Sequence, residues 1–325
     1  MEQPTIPAPE SLQAFAEKAN ALRQQIAQVI VGQQTAVDLL LTTILAGGHV
    51  LIEGVPGVAK TLLARLTSKL IGADFSRVQF TPDLMPSDVL GTSVFNMQNG
   101  TFSFHAGPIF ADLVLVDEIN RAPAKTQAAL FEVMEERQAT IDGETHPMSQ
   151  LYTIIATQNP VEQEGTYKLP EAQLDRFLMK ISMGYPTVDE EVAILERHQQ
   201  NARLTALDDI VPVVTKDDIL EMRQLLTQVY VEPSLLRYMV ELVQQTRQSR
   251  AVFLGASPRA AVAILQASKA FALLQGRLFV SPDDIKFVTP CILHHRIMLT
   301  AEAEMEGYTP WKVTLRLIDK VEVPK

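Results

Sequence analysis

Eight residues, Gly54-Val55-Pro56-Gly57-Val58-Ala59-Lys60-Thr61, constrain this chain more than any others because of what flanks them. The apolar run His49-Val50-Leu51-Ile52-Glu53 precedes them and an apolar-periodic stretch follows, so the segment reads as strand, phosphate loop, helix. Gly54 and Gly57 lack a Cβ, which lets the backbone curl with its N–H groups inward and approach a triphosphate closely. Lys60 adds a point charge for the β- and γ-phosphates, Thr61 offers a hydroxyl to Mg²⁺, and the helix that carries them and Leu62 presents its positive end to the anion. The general pattern has glycine where this chain has Ala59, the smallest replacement.

Composition limits the alternatives. At 325 residues the chain has room for two domains with a core each, and 47% hydrophobic content is that of a globular protein. A net charge of -10 disfavours broad contact with nucleic-acid phosphates, so no nucleic-acid partner is expected. One cysteine, Cys291, excludes an internal disulfide framework and a cysteine-based zinc cluster, and reads as a buried packing residue. The start, Met1-Glu2-Gln3-Pro4, lacks the basic and apolar parts of a secretory signal, and the apolar stretch Leu39–Ile52 is interrupted well below membrane-spanning length. A cytoplasmic protein without a membrane segment is expected.

Helical spacing of Leu12, Phe15, Ala19, Leu22, Ile26 and Ile30 predicts an opening amphipathic helix, and a second helix carries Val37 to Leu45. Beyond the phosphate loop, helices alternate with apolar runs at Arg77–Phe80, Leu113–Val116, Tyr152–Ala156 and Phe177–Ile181, which predicts an α/β fold with a parallel sheet. Two hairpins interrupt the scheme. Asn99-Gly100 joins Val94–Gln98 to Thr101–His105, and Asp142-Gly143 joins Thr140-Ile141 to Glu144-Thr145, both with residues suited to two-residue turns. After Gly184-Tyr185-Pro186 the sequence becomes mainly helical, with helix starts at Thr187, Thr215, Ser257-Pro258 and Ser281-Pro282. The expected division is an α/β core with the phosphate loop over 1–186 and a small helical domain over 187–325.

Several polar residues stand where ligand chemistry is done. Ala111 to Val116 forms an apolar strand that ends in Asp117 and Glu118, at the edge where open α/β sheets bind ligands. Asp117 is suited to the Mg²⁺ shell and Glu118 to polarising water, although two such acids could instead cap the next helix. Asn159 tips another buried strand, where its amide could bond a γ-phosphate or the Asn159-Pro160 pair could simply turn the chain. Arg176, just before an apolar run, is a candidate for stabilising charge on a neighbouring molecule's phosphoryl group, or half of a surface pair with Asp175. Arg259, in a first helical turn where a cation opposes the helix dipole, calls for an anion nearby, and the γ-phosphate is expected there if the helical domain folds over the site. The adjacent His294 and His295 cannot share one helical face and carry no ligand companions, which argues against a metal site there. Trp311 is expected to anchor the last helix.

Together these segments resemble the AAA+ ATPases, and several match the wording of the MoxR family. Gly54 to Thr61, Ala59 included, is similar to that family's phosphate loop, as are Leu115 to Ala122, Thr140 to Glu144, Ala156 to Pro160 and Gly165 to Ala172 to its other signatures. The resemblance implies Walker A at 54–61, Walker B at Asp117 and Glu118, sensor 1 at Asn159, an arginine finger at Arg176, sensor 2 at Arg259, and adenine contact at Val31 and Gly32. It implies ATP and Mg²⁺ as ligands and a homo-oligomeric ring, usually a hexamer, which acts as a chaperone-like activator of protein clients such as von Willebrand factor A domain proteins. A nucleotide-gated scaffold and the motor subunit of a metal-chelatase-like complex are the competing expectations.

Overall fold

The computed structural model describes residues 9–98, 100–160, 166–167, 169–199 and 210–324. Helices α1 (Pro9–Val29) and α2 (Gln34–Leu45) lead into β1 (Val50–Gly54), and the phosphate loop joins β1 to α3 (Lys60–Ile71). Next come β2 (Phe75–Gln79), the short α4 (Pro86–Leu90) and a hairpin of β3 (Gly91–Asn96) and β4 (Thr101–Ala106). They are followed by β5 (Leu113–Asp117), α5 (Ala124–Glu136), a second hairpin of β6 (Gln138–Ile141) and β7 (Glu144–Pro147), β8 (Thr153–Gln158), the one-turn α6 (Glu171–Leu174) and β9 (Met179–Met183). The helical remainder comprises α7 (Val188–Gln199), α8 (Lys216–Leu225), α9 (Pro233–Gln248), α10 (Pro258–Leu274), α11 (Pro282–Leu293), α12 (Ala301–Met305) and α13 (Pro310–Lys320), with a small antiparallel pair of β10 (Val252–Leu254) and β11 (Met298–Leu299).

The sheet is parallel throughout, in the order β2-β5-β8-β1-β9. Each expected apolar run supplies a strand. The last starts two residues later than periodicity predicts, because Phe177 and Leu178 belong to a turn whose carbonyls bond Arg296 instead of a neighbouring strand. The second hairpin turns on Asp142 (φ 51°) and Gly143 (φ 85°), the two positive angles that a tight turn demands, with Ile141 paired to Glu144. The first hairpin differs from expectation. Asn96 pairs with Thr101 and the Gly100 N–H donates to the Asn96 carbonyl at 2.9 Å, so the loop is wider than a two-residue turn; Asn99 itself lies outside the described residues.

Strand alternation divides the core by sheet face. Val50, Ile52, Leu113, Leu115, Ile155 and Ile181 point to one side, where they join α1, α2 and α3 and the buried residues of α8 to α13 in one apolar cluster. Leu51, Val114, Val116, Ile154 and Ala156 point to the other and pack with Leu130, Phe131 and Met134 of α5. The expectation of a separate core for each domain therefore gives way to a core shared across the boundary, with Ile264, Ile285 and Val288 in the same cluster as the sheet. Capping boxes at Thr187, Thr215 and Ser281 start α7, α8 and α11 as expected, whereas Ser257 precedes α10 without a side-chain cap. Cys291 is buried, and the Trp311 ring meets His294 edge-on, 5.2 Å between centroids, at the start of α13.

Three buried histidines are held neutral. His49 accepts a hydrogen bond from the Ile154 N–H at 2.9 Å, which leaves Nε2–H to donate to the Met134 carbonyl at 3.1 Å; burial, reinforced by the Arg137 charge, lowers its pKa to about 3. Burial lowers His294 to about 4 and holds His295 well below its ordinary value. The unfolded chain takes up these protons below about pH 6.5 while the folded one refuses them, so stability is lost as pH falls, at about 1.4 kcal/mol per pH unit for each histidine. Urea midpoints should be flat between pH 8 and 7 and fall steeply from pH 6 to 5; an unchanged midpoint at pH 5 would show that these rings accept protons in the fold.

Candidate nucleotide site

The C-terminal edge of the sheet carries a cavity of about 380 Å³ lined by Pro56 to Leu62, Asp117, Glu118, Thr157 and Asn159. β1, β5 and β8 are adjacent and parallel, and for that reason the loop after β1, the acids at the end of β5 and the polar tip of β8 converge there. Gly54 is required by close approach: a Cβ would stand 2.6 Å from the Met183 carbonyl of β9. Gly57 is required by its φ of 88°, since a Cβ there would meet nothing. Ala59 has φ 66° and ψ 22°, a left-handed conformation that costs an alanine roughly 1–2 kcal/mol, which explains why the general pattern has glycine at this position. The Lys60 ammonium donates to the Gly54 carbonyl and, at 3.1 Å, to that of Val55, and so lies across the mouth of the loop.

The acidic pair is held by groups that the sequence reading did not single out. Asp117 accepts from the Thr157 hydroxyl and forms an ion pair with Arg77 at 2.7 Å. Glu118 adopts left-handed angles, φ 57° and ψ 50°, as its N–H donates to the Thr157 hydroxyl at 3.0 Å. Its carboxylate accepts from the Gln79 amide at 2.8 Å and from Arg121 at 3.0 Å. Arg77 and Gln79 alternate on one face of β2, a pattern visible in sequence; only the pairing of β2 with β5 shows that this face meets the acids.

Arg176 and Arg259 lie elsewhere. Arg176 precedes β9, whose Met179 pairs with Val50 at the beginning of β1, so it stands at the N-terminal edge of the sheet. One strand length, roughly 13 Å, separates that edge from the phosphate loop. There Arg176 forms an ion pair with Glu135 at 2.8 Å, near the end of α5, and donates to the Ala172 carbonyl at 3.0 Å. Arg259 reaches the same Glu135 carboxylate at 3.4 Å. The expectation that the helical part brings Arg259 over its own chain's phosphate loop is therefore not met: α10 packs on α2, and its first turn is carried to the edge that holds Arg176. Val31 and Gly32 also stand outside the cavity lining, beside Glu190 of α7, where the Gln33 amide donates to the Gly184 carbonyl at 3.0 Å. Gly165 and Lys168 fall outside the described residues.

Hard oxygen donors suited to Mg²⁺ are present, since the Thr61 hydroxyl and the Asp117 carboxylate line the same cavity. Among the described residues, no group of three or more His, Cys, Asp or Glu could hold a metal by itself. His294 and His295 are turned to the Pro290 and Phe177 carbonyls. No helix of the described residues is long and apolar enough to cross a membrane.

Comparison with known proteins agrees with this geometry. Residues 49–179 match the model of the ATPase family associated with various cellular activities (AAA), and residues 244–314 match the AAA lid domain. The chain is 46% identical to the uncharacterised protein YeaC of Bacillus subtilis over 301 residues, 93% of each chain. It is 41% identical to chaperone MoxR1 of Mycobacterium tuberculosis over 310 residues, 93% of this chain and 81% of that one. A crystal structure from Cytophaga hutchinsonii, described as a candidate ATPase, superposes with a TM-score of 0.89 at 41% identity, covering 97% of this chain and 98% of that one.

Relief of the backbone strain at position 59 provides a test of the loop. Ala59→Gly should retain nucleotide binding and raise stability by up to about 1 kcal/mol in a denaturant titration. A loss of stability would mean that the left-handed angle is not imposed on Ala59 in solution.

Proposed function

Because the chain belongs to the MoxR family of AAA+ ATPases, we propose that it hydrolyses ATP with Mg²⁺ in a homo-oligomeric ring, a hexamer by family habit, and remodels or activates a protein client. The core over 1–186 binds the nucleotide and the helical lid over 187–325 responds to it. The observation that carries the reading is the placement of the two kinds of charge: phosphate loop and acids at one edge of the sheet, Arg176 and Arg259 at the other. A chain so built completes its site only with the guanidinium groups of a neighbour.

The chain's own groups divide the work. The N–H groups of residues 54–61 and the Lys60 ammonium receive the triphosphate, which requires Lys60 to exchange the Gly54 and Val55 carbonyls for phosphate oxygens. Thr61 and Asp117 would hold Mg²⁺, which would supply positive charge to offset that of the phosphates. Glu118 takes up the water's proton and orients its attack, while Gln79 and Arg121 hold its Oε2 and so fix the direction of the carboxylate. Asn159 meets the γ-phosphate. Arg176, with Arg259 beside it, stabilises charge on the adjacent protomer's phosphoryl group. Val31 and Gly32, next to α7, contact the base when the lid closes.

Exposed apolar side chains on the first hairpin favour a protein client. Met97 is 90% and Phe102 73% exposed, with Phe95 and Val94 half-exposed beside them, and His146 of the second hairpin stacks on Phe104 at 4.0 Å, which ties the two hairpins together. A von Willebrand factor A domain protein is the client that family likeness suggests.

Two substitutions test the scheme. Glu118→Gln should bind ATP within about twofold of the parent and lose at least about 10²-fold in turnover. Arg176→Ala should leave binding intact and lose about 10³-fold in ring-dependent turnover. Full turnover in the arginine variant would refute the shared site, and lost binding in the glutamate variant would place Glu118 in ligand capture instead.

A further inference from the structure

Arg176 is useful only if its backbone is fixed; the turn that bears it is anchored in the core by the buried Phe177 ring against Phe131, and its carbonyls are held from the lid. Between α6 and β9 the N–H groups of Arg176, Phe177 and Leu178 find the Gln173, Leu174 and His49 carbonyls. The carbonyls of the turn face the end of α11, in the lid. There Arg296, with only 4% of its side chain exposed, engages all five of its donors. Nε donates to Asp175 Oδ1 at 2.6 Å, Nη2 to the Asp175 and Phe177 carbonyls at 3.2 and 2.7 Å, and Nη1 to the Leu178 carbonyl at 3.1 Å and that of Ile292 at 2.6 Å. Four of these five bonds end on residues 175–178, the turn on which Arg176 rides. The neighbouring His295 adds Nε2 to the Phe177 carbonyl at 3.2 Å.

We infer that Arg296 is a positioning residue for hydrolysis in the adjacent protomer: it clasps the Asp175–Leu178 turn from the lid and so aims Arg176 across the junction. The inference rests on the shared-site reading above. A buried arginine that only filled a helix end would satisfy carbonyls of its own helix, as it does at Ile292; here the planar fork is matched to a turn more than a hundred residues away. The fork also links lid and arginine in one rigid contact, so a displacement of α11 shifts the guanidinium presented to the neighbour. A lysine in place of Arg296 keeps the charge but has no fork with which to hold several carbonyls at once.

The test uses full-length chains and mixed rings. Arg296→Lys should bind ATP as the parent does, keep KM within about twofold, and lose roughly 10- to 100-fold in kcat. Mixed with Glu118→Gln chains at monomer-favouring dilution and then concentrated, it should recover at least several-fold activity over either variant alone, because its sound phosphate loop then meets a well-aimed Arg176. Asp175→Asn, which weakens one bond of the clasp, should show a smaller loss and the same rescue, and it stands in if Arg296→Lys does not fold. Recovery by Arg176→Ala mixed with Glu118→Gln, without recovery by the Arg296 and Asp175 variants, would overturn the inference and leave the shared site standing. No recovery in any mixture would overturn both.

Discussion

A parallel sheet has two unlike edges, and this protein keeps its phosphate loop and acids at one and two arginines at the other. β1, β5 and β8 all finish at the edge where the phosphate loop, Asp117, Glu118 and Asn159 meet, while β9 starts at the other, directly after Arg176. No side-chain motion spans the strand between them. Glu135 strengthens the separation, because α5 runs back from the acids to the arginine edge and ends with one carboxylate between two guanidiniums. That carboxylate holds two like charges close together.

Two strained residues stand at the edge that carries the phosphate loop. Ala59 and Glu118 both hold left-handed angles without being glycine, each at a junction where the chain leaves a buried strand for a helix. Such angles persist only where the surroundings impose them. At Ala59 the imposing element is α3, which starts at the next residue; at Glu118 it is the hydrogen bond to Thr157. α3 in turn belongs to the apolar cluster that contains α10 and α11, so contiguous packing runs from the phosphate loop to the lid and on to the turn of Arg176.

Local features were the legible ones. The strand–loop–helix around Lys60, the acids at the end of β5, the Asp142-Gly143 turn and the helix starts at Thr187, Thr215 and Ser281 each depend on residues within a few positions of one another. What escaped was set by contacts between distant segments. Gln79 restrains Glu118 only because β2 lies beside β5, and Arg259 meets Glu135 only because α10 packs on α2. Arg296 shows no motif of its own, since its function lies in a turn far away in sequence. The first hairpin widened beyond its Asn-Gly signal because strand pairing stops at Asn96 and Thr101, ahead of the residues that would have formed the tight turn.

Hydrolysis per chain as a function of protein concentration, at saturating ATP and Mg²⁺, examines the central claim with the unmodified protein. If each site is completed by the next copy, specific activity falls toward zero on dilution, in step with loss of the assembled species by light scattering, while nucleotide binding per chain persists. A specific activity that stays constant down to dilutions where only monomers remain would contradict the account.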